Sequence, residues 1–360
     1  MEYDIQQVKR IQALADAKSP SGFEDETIAA ARSSLDERFT VTEDSLRNLY
    51  IRRKANTGKK PVLMLDAHSD EVGFMVHSIK PNGLLRMVQL GGWNPATLPS
   101  TEVLVRNADG EWIRGVIAAK PPHFMTPEER AANKMPDVRS LVIDIGASSD
   151  QEAREDFHIR IGEPVVAATK FEFDAAHGLM FGKGFDCRIG CAALLESMLE
   201  LADEKLAVDV VGVLSSQEEV GERGCKVSAA EVRPDIAVCF EGCPADDTFT
   251  EPYAIQTALK KGPMMRFMDN SVILNPRFQR FTLDLAEKQH IPAQASVREG
   301  GGNDAAVIQQ LFDSPSIVMG IPVRYIHCPA CITSYADYEA SVRLACAIAR
   351  NLTKEMIQAF

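Results

Sequence analysis

VLMLDAHSDEVG, residues 62–73, is the segment most informative about the fold. It begins as an apolar run of strand length and continues into the pair His68 and Asp70. Alternate side chains of a strand share a face, so both residues can point at the same ion. A neutral imidazole ligates divalent metals, and a carboxylate beside it fixes the tautomer of the ring. The stretch therefore predicts a strand that ends at a metal site, against the alternative of a solvated loop histidine.

Comparable residues recur after later apolar strands. The segment GKGFDCRIGC, residues 182–191, places Asp186 at the start of a helical pattern, where a simple N-cap is the alternative. The segment DVVGVLSSQEEVGERG, residues 209–224, is a strand followed by the adjacent acids Glu218 and Glu219 and a glycine-rich turn. Neighbouring carboxylates repel each other, so keeping both charged near a core requires a cation.

Two more apolar strands lead to the same kinds of residue. The segment DIAVCFEG, residues 235–242, reaches Glu241, and IVMGIPVRYIHCP, residues 317–329, reaches His327. An edge-strand acid or a structural histidine would explain each of them singly. Their recurrence together favours one shared site at the carboxyl edge of an α/β sheet, where such sheets bind ligands.

The number of donors exceeds what one metal ion uses. The motifs supply two histidines, one aspartate, two glutamates and one spare carboxylate, whereas a mononuclear site takes three protein ligands and a water. The set fits two ions roughly 3.5–4 Å apart with one bridging carboxylate, an arrangement that activates water. The spare glutamate beside a ligand glutamate is then the expected general base. The residues predict a hydrolase.

At these motifs the chain resembles the M42 family of dinuclear metallo-aminopeptidases, the group of glutamyl and tetrahedral (TET-like) aminopeptidases. The resemblance runs from SPSGFE, residues 19–24, to His327 and the closing helix, so it covers nearly the whole chain. Four blocks carry it: DAHSDEVG at 66–73, GFDCRIGC at 184–191, QEEVGERG at 217–224 and GGGNDA at 300–305.

The resemblance implies two divalent metal ions per subunit. Around one ion it places His68, Asp186 and Glu241. Around the other it places Asp186, Glu219 and His327, so that Asp186 bridges the pair. Zinc is the first expectation for both ions, with cobalt or manganese as alternatives, because a nitrogen and oxygen donor set accepts each of them.

The same resemblance implies the remaining roles and the activity. Glu218 would be the general base, and Asp70 would orient His68. The implied protein is an aminopeptidase that releases N-terminal residues from short peptides, and it self-associates as dimers that assemble into a tetrahedral dodecamer. Two alternatives stay open: a metal-dependent N-acyl amino acid deacylase or amidohydrolase, and a catalytically inactive metal-binding assembly protein.

Three positions depart from the family pattern. Glu241 stands where the family usually has aspartate, Cys187 where an acid or amide follows the bridging aspartate, and Asn303 where threonine is common. A glutamate at position 241 still offers a carboxylate oxygen to a metal ion. The thiol of Cys187 is a different donor, open to oxidation and suited to soft metals.

Composition limits the remaining functions. The net charge of −12 lacks the basic character of a nucleic-acid-binding surface. No apolar run reaches the length of a membrane span, and the first residues do not resemble a signal peptide, so we expect a cytoplasmic protein. The eight cysteines are then expected to be free thiols. Cys328 and Cys331 form a C-x-x-C motif that is read as two thiols in a loop rather than as a redox or zinc motif.

The change in pattern along the chain predicts two domains. Residues 1–70 and 166–360 are expected to form an α/β catalytic domain, with a mixed central sheet flanked by helices as in zinc peptidases. Residues 71–165 consist of short alternating apolar runs cut by turn signals, which predicts an inserted small all-β barrel. The family resemblance implies that this insertion serves oligomerisation and substrate access. Helices are predicted over residues 4–17 and 24–36 and from about Asp337 onward, and residues 126–134 are the one candidate helix within the insertion.

Overall fold

The computed structural model of the protein describes residues 3–131 and 135–360. Its helices are α1 (Ile5–Asp16), α2 (Asp25–Ser33), α3 (Pro127–Ala131), α4 (Asp150–Glu155), α5 (Phe185–Leu201), α6 (Arg223–Val232), α7 (Pro276–Lys288), α8 (Asp304–Phe312), α9 (Tyr335–Asn351) and α10 (Lys354–Ala359).

The strands follow the same order along the chain. They are β1 (Phe39–Glu43), β2 (Leu49–Arg53), β3 (Val62–His68), β4 (Gly73–Ile79), β5 (Leu85–Leu90), β6 (Glu102–Arg106), β7 (Trp112–Ile117), β8 (Val142–Asp144), β9 (Pro164–Ala167), β10 (Glu172–Asp174), β11 (Leu179–Gly182), β12 (Asp209–Ser215), β13 (Ile236–Pro244), β14 (Met264–Met268), β15 (Gln294–Val297), β16 (Ser316–Arg324) and β17 (Cys331–Ser334).

Contacts divide the chain into two units. The first contains the residues up to Glu71 together with Lys170–Ile326 and Ala330–Phe360. The second contains Val72–Thr169 and the short segment His327–Pro329. Each unit has its own hydrophobic core.

The first unit is built on one mixed sheet. Its strands run in the order β1-β2-β12-β3-β13-β16-β17-β11-β10, and β14 pairs with β16 and β15. The central strands β12, β3, β13 and β16 are parallel, and every residue of β12 is buried, as expected for a strand covered on both faces. This arrangement confirms the predicted mixed α/β fold class.

The alternation of strand residues separates two cores. Leu63, Leu65 and Ala67 of β3 join a core that includes residues of α1, α5 and α9. Met64, on the other face of the same strand, joins a core that includes residues of α6 and α8. Successive side chains of a strand point to opposite faces, so the apolar run of β3 is explained by helices on both sides.

The register of the parallel strands places their carboxyl ends together. Ser215, the last residue of β12, lies opposite His68, the last residue of β3. Asp66 lies opposite Cys239 of β13, so the residues two positions further on, His68 and Glu241, reach the same edge of the sheet. The loop carrying the adjacent glutamates follows β12 at this edge.

The predicted terminal helices are present with small differences in their bounds. The helices α1 and α2 lie within the predicted ranges, and the side chain of Asp4 caps α1. The helix α9 begins two residues before the expected Asp337. The cap is Ser334, whose side chain accepts a hydrogen bond from the backbone N–H of Asp337, so Asp337 is the third residue of the helix.

The second unit contains a closed barrel of antiparallel strands in the order β4-β5-β8-β7-β6-β9, which confirms the all-β prediction. Its core includes Phe74, which stacks on Trp93 with ring centroids 4.9 Å apart. The short helix α4 was not predicted, because its six residues carry too little periodicity. The candidate helix over residues 126–134 is present as α3, and residues 132–134 lie outside the described residues.

Two composition-based expectations can be compared with the structure. The eight cysteines, all within the described residues, form no disulfide, and seven of them are buried. Among the helices of residues 3–131 and 135–360, none has both the length and the apolar character that crossing a membrane requires.

Candidate metal centre

The candidate centre is built around His68 at the end of β3, where the imidazole is 2% exposed. Its Nδ1 atom lies 3.3 Å from Oδ1 of Asp70, and its Nε2 atom lies 3.0 Å from Oδ1 of Asp186. Nε2 is also 3.5 Å from Oε2 of Glu241. A carboxylate at Nδ1 leaves Nε2 for a metal, which is the usual arrangement of a metal-binding histidine and its supporting acid.

Asp70 also holds the loop after β12. Its Oδ1 accepts a hydrogen bond from the backbone N–H of Glu218 at 3.0 Å, and its Oδ2 accepts one from Glu219 at 3.2 Å. The hydroxyl of Ser21 donates to the same Oδ2 at 2.6 Å. Burial raises the pKa of Asp70, but these hydrogen bonds and the attraction to the nearby His68 outweigh it, so the pKa lies below the ordinary value. An ionised Asp70 therefore fixes both the imidazole and the two glutamates.

Glu24 provides a second support for this loop. Its Oε1 accepts hydrogen bonds from the backbone N–H groups of Gln217 at 3.2 Å and Gly22 at 2.7 Å. The carboxyl is fully buried, and burial together with the charge of Asp70 raises its pKa to about 7. Neither this role of Glu24 nor that of Ser21 was predicted, although both lie in the block SPSGFE that carried the family resemblance.

Four residues, His68 among them, bring donor atoms close together. His68, Asp186, Cys187 and Glu241 each offer one ligand atom, and these atoms lie within 4.8 Å of one another. Asp186 and Cys187 have non-helical backbone angles inside α5, whose first residues follow the left-handed Gly184. Asp186 is therefore part of an irregular first turn and not the N-cap that the sequence allowed as an alternative.

The acids of the β12–α6 loop face the same imidazole. Oε2 of Glu218 lies 3.9 Å from Nε2 of His68. Glu218, Glu219 and His68 form a further group whose ligand atoms lie within 4.8 Å of one another. Of the seven predicted site residues, the first unit thus brings six together: His68, Asp70, Asp186, Glu218, Glu219 and Glu241.

His327 belongs to the short segment that is grouped with the second unit. Its backbone carbonyl accepts a hydrogen bond from the N–H of Asn94 at 3.2 Å. A Cβ atom at Gly92 would lie 3.6 Å from the Nδ1 of His327. The role of His327 as a ligand stays a prediction.

The pKa shifts of the clustered carboxyl groups indicate whether this site suits a metal ion. Burial raises the pKa of Glu218 well above its ordinary value, and the charges of Glu241 and Glu219 raise it further. Burial likewise raises the pKa of Glu241 to about 7, against the lowering effect of His68. Several carboxylates withdrawn from water around one imidazole are stabilised in their charged form by a cation. The donor set of nitrogen, oxygen and one sulfur fits a divalent ion such as zinc, cobalt or manganese.

Comparisons with known proteins agree with this fold. A family model described as M42 glutamyl aminopeptidase matches residues 48–344. The glutamyl aminopeptidase of Lactococcus lactis subsp. cremoris (strain MG1363) is 30% identical over 354 residues, which cover 97% of each chain.

Solved structures of peptidases are also similar to this chain over nearly its whole length. The TET aminopeptidase from the marine sediment archaeon Thaumarchaeota archaeon SCGC AB-539-E09 matches with a TM-score of 0.93 and 34% identity, covering 98% of this chain and 99% of that one. The TET1 peptidase of Pyrococcus horikoshii, described as able to assemble into a tetrahedron or a large octahedral shell, matches with a TM-score of 0.86 and 28% identity over 96% and 100% of the two chains.

The fold, with its mixed sheet and closed barrel, is that of the TET-type peptidases. The chain belongs to the M42 peptidase family. It is a hydrolase of the aminopeptidase class, and the family resemblance drawn from its motifs is confirmed.

Proposed function

We propose that this aminopeptidase uses two divalent metal ions, zinc first and cobalt or manganese as alternatives, with Glu218 as its general base. The observation that carries the proposal is the convergence of donor atoms from His68, Asp186 and Glu241 within 4.8 Å. These three residues would hold one ion. Asp186, Glu219 and His327 would hold the other, as the family pattern implies.

The bound ions, Glu218 and Asp70 would have separate roles in the reaction. When bound, the ions supply an activated water, polarise the scissile carbonyl and offer a contact for the free α-amine of the substrate. The Glu218 carboxylate accepts the proton of the attacking water and hands it to the leaving amine. Asp70 keeps the imidazole of His68 and the backbone of Glu218 in place, because its Oδ1 lies 3.3 Å from Nδ1 of His68 and accepts a hydrogen bond from the backbone N–H of Glu218. Short peptides with a free N-terminus are the proposed substrates.

A substrate panel tests this function. The protein is stripped of metal, zinc, cobalt or manganese is added back, and hydrolysis is followed on free and N-acetylated aminoacyl-p-nitroanilides. We expect no cleavage without metal and restored cleavage of the unblocked compounds alone, because the proposed site recognises a free α-amine. The panel also reports which N-terminal side chain is preferred.

The other outcomes have distinct meanings. Cleavage confined to the N-acetylated compounds would replace the proposal by the N-acyl amino acid deacylase alternative. A protein that binds metal but cleaves neither set would support the inactive assembly protein and would contradict the role of Glu218.

We also propose that the chain self-associates as dimers that form a tetrahedral dodecamer. The relative from Pyrococcus horikoshii supports this, because it is described as assembling into a tetrahedron or an octahedral shell. The insertion, proposed at residues 71–165 between segments 1–70 and 166–360, would supply contacts and control substrate access. Light scattering should give the mass of about twelve chains, and a monomer mass would reject the assembly.

The cytoplasmic location and the absence of nucleic-acid partners stay predictions.

A further inference from the structure

Cys187 stands among the metal donors. It follows the proposed bridging ligand Asp186 in the irregular first turn of α5, and its side chain is completely buried. Its Sγ atom belongs to the group of four ligand atoms that lie within 4.8 Å of one another. The other three atoms come from His68, Asp186 and Glu241, the residues proposed for the first ion. A buried thiol at this distance from three ligands is in reach of the same ion.

The surroundings of Cys187 fix the direction of its side chain. The Sγ atom lies 3.2 Å from the carbonyl oxygen of Phe240, to which the thiol donates a hydrogen bond. Phe240 directly precedes Glu241 on β13. On the other side, Gly190 leaves room for the sulfur, because a Cβ atom there would collide with it and would lie 3.1 Å from Cβ of Phe240. The sulfur is therefore held against the strand that carries a metal ligand.

Cys191 provides an internal comparison one turn further along the same helix. It is equally buried, and its thiol donates to the carbonyl oxygen of His68 at 3.0 Å. Among the described residues, Cys191 is in none of the donor groups that could hold an ion. Both cysteines thus lie in α5, both are buried, and each thiol donates to a backbone carbonyl. They differ in that, among the described residues, the Sγ atom of Cys187 belongs to a group of metal-donor atoms and that of Cys191 does not.

We propose that the thiolate of Cys187 is an additional ligand of the ion held by His68, Asp186 and Glu241. The inference rests on the proposed two-metal function. On binding, the S–H bond breaks, the proton passes to solvent and a sulfur–metal bond forms, as happens when a thiol enters a metal's coordination sphere. A soft sulfur donor shifts a nitrogen and oxygen site towards zinc, cobalt and cadmium and away from manganese.

Cobalt substitution tests this coordination without measuring activity. The metal-free full-length protein is titrated with Co²⁺. Bound cobalt is counted by elemental analysis, and the near-ultraviolet spectrum is searched for a thiolate-to-cobalt charge-transfer band. We expect the band in the wild-type protein, its loss in Cys187→Ser and its retention in Cys191→Ser. Cys328→Ser is a second control, because this partly exposed thiol follows the predicted ligand His327.

The outcomes separate this inference from the proposed function. Two bound cobalt ions without the band, or a band that persists in Cys187→Ser, would overturn sulfur ligation and leave the two-metal site intact. Failure to bind cobalt at all would contradict the metal site itself. Competition provides a further check, because Cys187→Ser should lose affinity for Cd²⁺ by on the order of tenfold more than for Mn²⁺.

A measurement on the wild-type protein covers the case in which Cys187→Ser does not fold. X-ray absorption of the zinc-loaded wild type and of the Cys191→Ser and Cys328→Ser variants should show a zinc–sulfur shell at about 2.3 Å. A first shell of nitrogen and oxygen alone, at about 2.0–2.2 Å, would overturn the inference.

Discussion

Replacing Glu218 by glutamine is expected to lower kcat by about 10²–10⁴-fold, the usual contribution of a general acid–base group. Metal binding should persist, because the proposed ligands His68, Asp186, Glu219 and Glu241 are unchanged. The variant keeps the shape of the side chain and the backbone N–H that donates to Asp70. What it loses is the carboxylate that would accept the proton of the attacking water.

Because of the surroundings of Glu218, its replacement by glutamine can lower turnover strongly without lowering the stability of the fold. Burial and the charges of Glu241 and Glu219 raise the pKa of Glu218, so the folded protein gains little from a charge there in the absence of metal. A neutral amide of the same volume removes this repulsion. We therefore expect the metal-free Glu218→Gln protein to unfold at a denaturant concentration no lower than that of the wild type.

Kinetics and metal content together check the prediction. Initial rates are measured over a range of substrate concentrations on the compound that the panel favours, and metal content is measured by elemental analysis. Glu231→Gln serves as the control, because its carboxylate is exposed and pairs with Arg52, at 3.5 Å, outside the donor groups of the candidate centre. A Glu218→Gln protein with two bound ions and more than about a tenth of the wild-type kcat would show that another group is the base.

The residues at the strand ends could be predicted because parallel strands bring their carboxyl ends to one edge. His68 and Glu241 each follow an apolar run; His68 is the last residue of β3, Glu241 lies within β13, which continues to Pro244, and the register of the strands brings the two residues to the same edge. Glu218 and Glu219 could be predicted as site residues from the repulsion between their carboxylates alone, because two adjacent carboxylates after a buried strand indicate a nearby cation.

The supporting residues could not be predicted by that reasoning. Ser21 and Glu24 reach the site only because the segment between α1 and α2 is held, by contacts distant in sequence, against the residues that follow β3 and β12. Nothing in the local pattern of that segment indicates such contacts. Asp70 was expected to orient His68, and its hydrogen bonds to the loop after β12 appear only when the two strands are aligned.

A buried ionic cluster holds this segment in place. Oε1 of Glu71 accepts a hydrogen bond from Nζ of Lys183 at 2.6 Å and lies 3.5 Å from Nη2 of Arg188. All three side chains are at most 4% exposed. The two cations also donate to backbone carbonyls of the segment, Lys183 to Ala17 at 2.8 Å and Arg188 to Ser19 at 2.9 Å. Glu71 is thus the carboxylate that balances two buried cations.

Replacing Glu71 by glutamine is expected to lower the free energy of unfolding by about 3–5 kcal/mol, the range for removing one partner of a buried ion pair. The amide fills the same volume and leaves Lys183 and Arg188 without their counter-ion. Glu204→Gln is the control: Glu204 pairs with Arg350 at a solvent-accessible position, where such pairs contribute about 0–1 kcal/mol.

The pH dependence identifies the cause of the loss. Burial lowers the pKa of Lys183 below its ordinary 10.5 even with Glu71 present, and removal of Glu71 should lower it further. Between the lowered folded pKa and 10.5 the unfolded chain binds more protons than the folded protein, so stability rises with pH. Because this rise begins at a lower pH in Glu71→Gln than in the wild type, the deficit should shrink as the pH is raised from the lower to the higher of the two folded Lys183 pKa values.

Urea unfolding of the metal-free protein provides the measurement. Both tryptophans, Trp93 and Trp112, belong to the second unit, so circular dichroism of the helices is the probe for the unit that contains Glu71. Because stability falls linearly with urea concentration, the expected loss appears as a lower midpoint at an unchanged slope. A midpoint shift no larger than that of Glu204→Gln, or a deficit that does not change with pH, would show that the cluster does not anchor the segment that supports the active site.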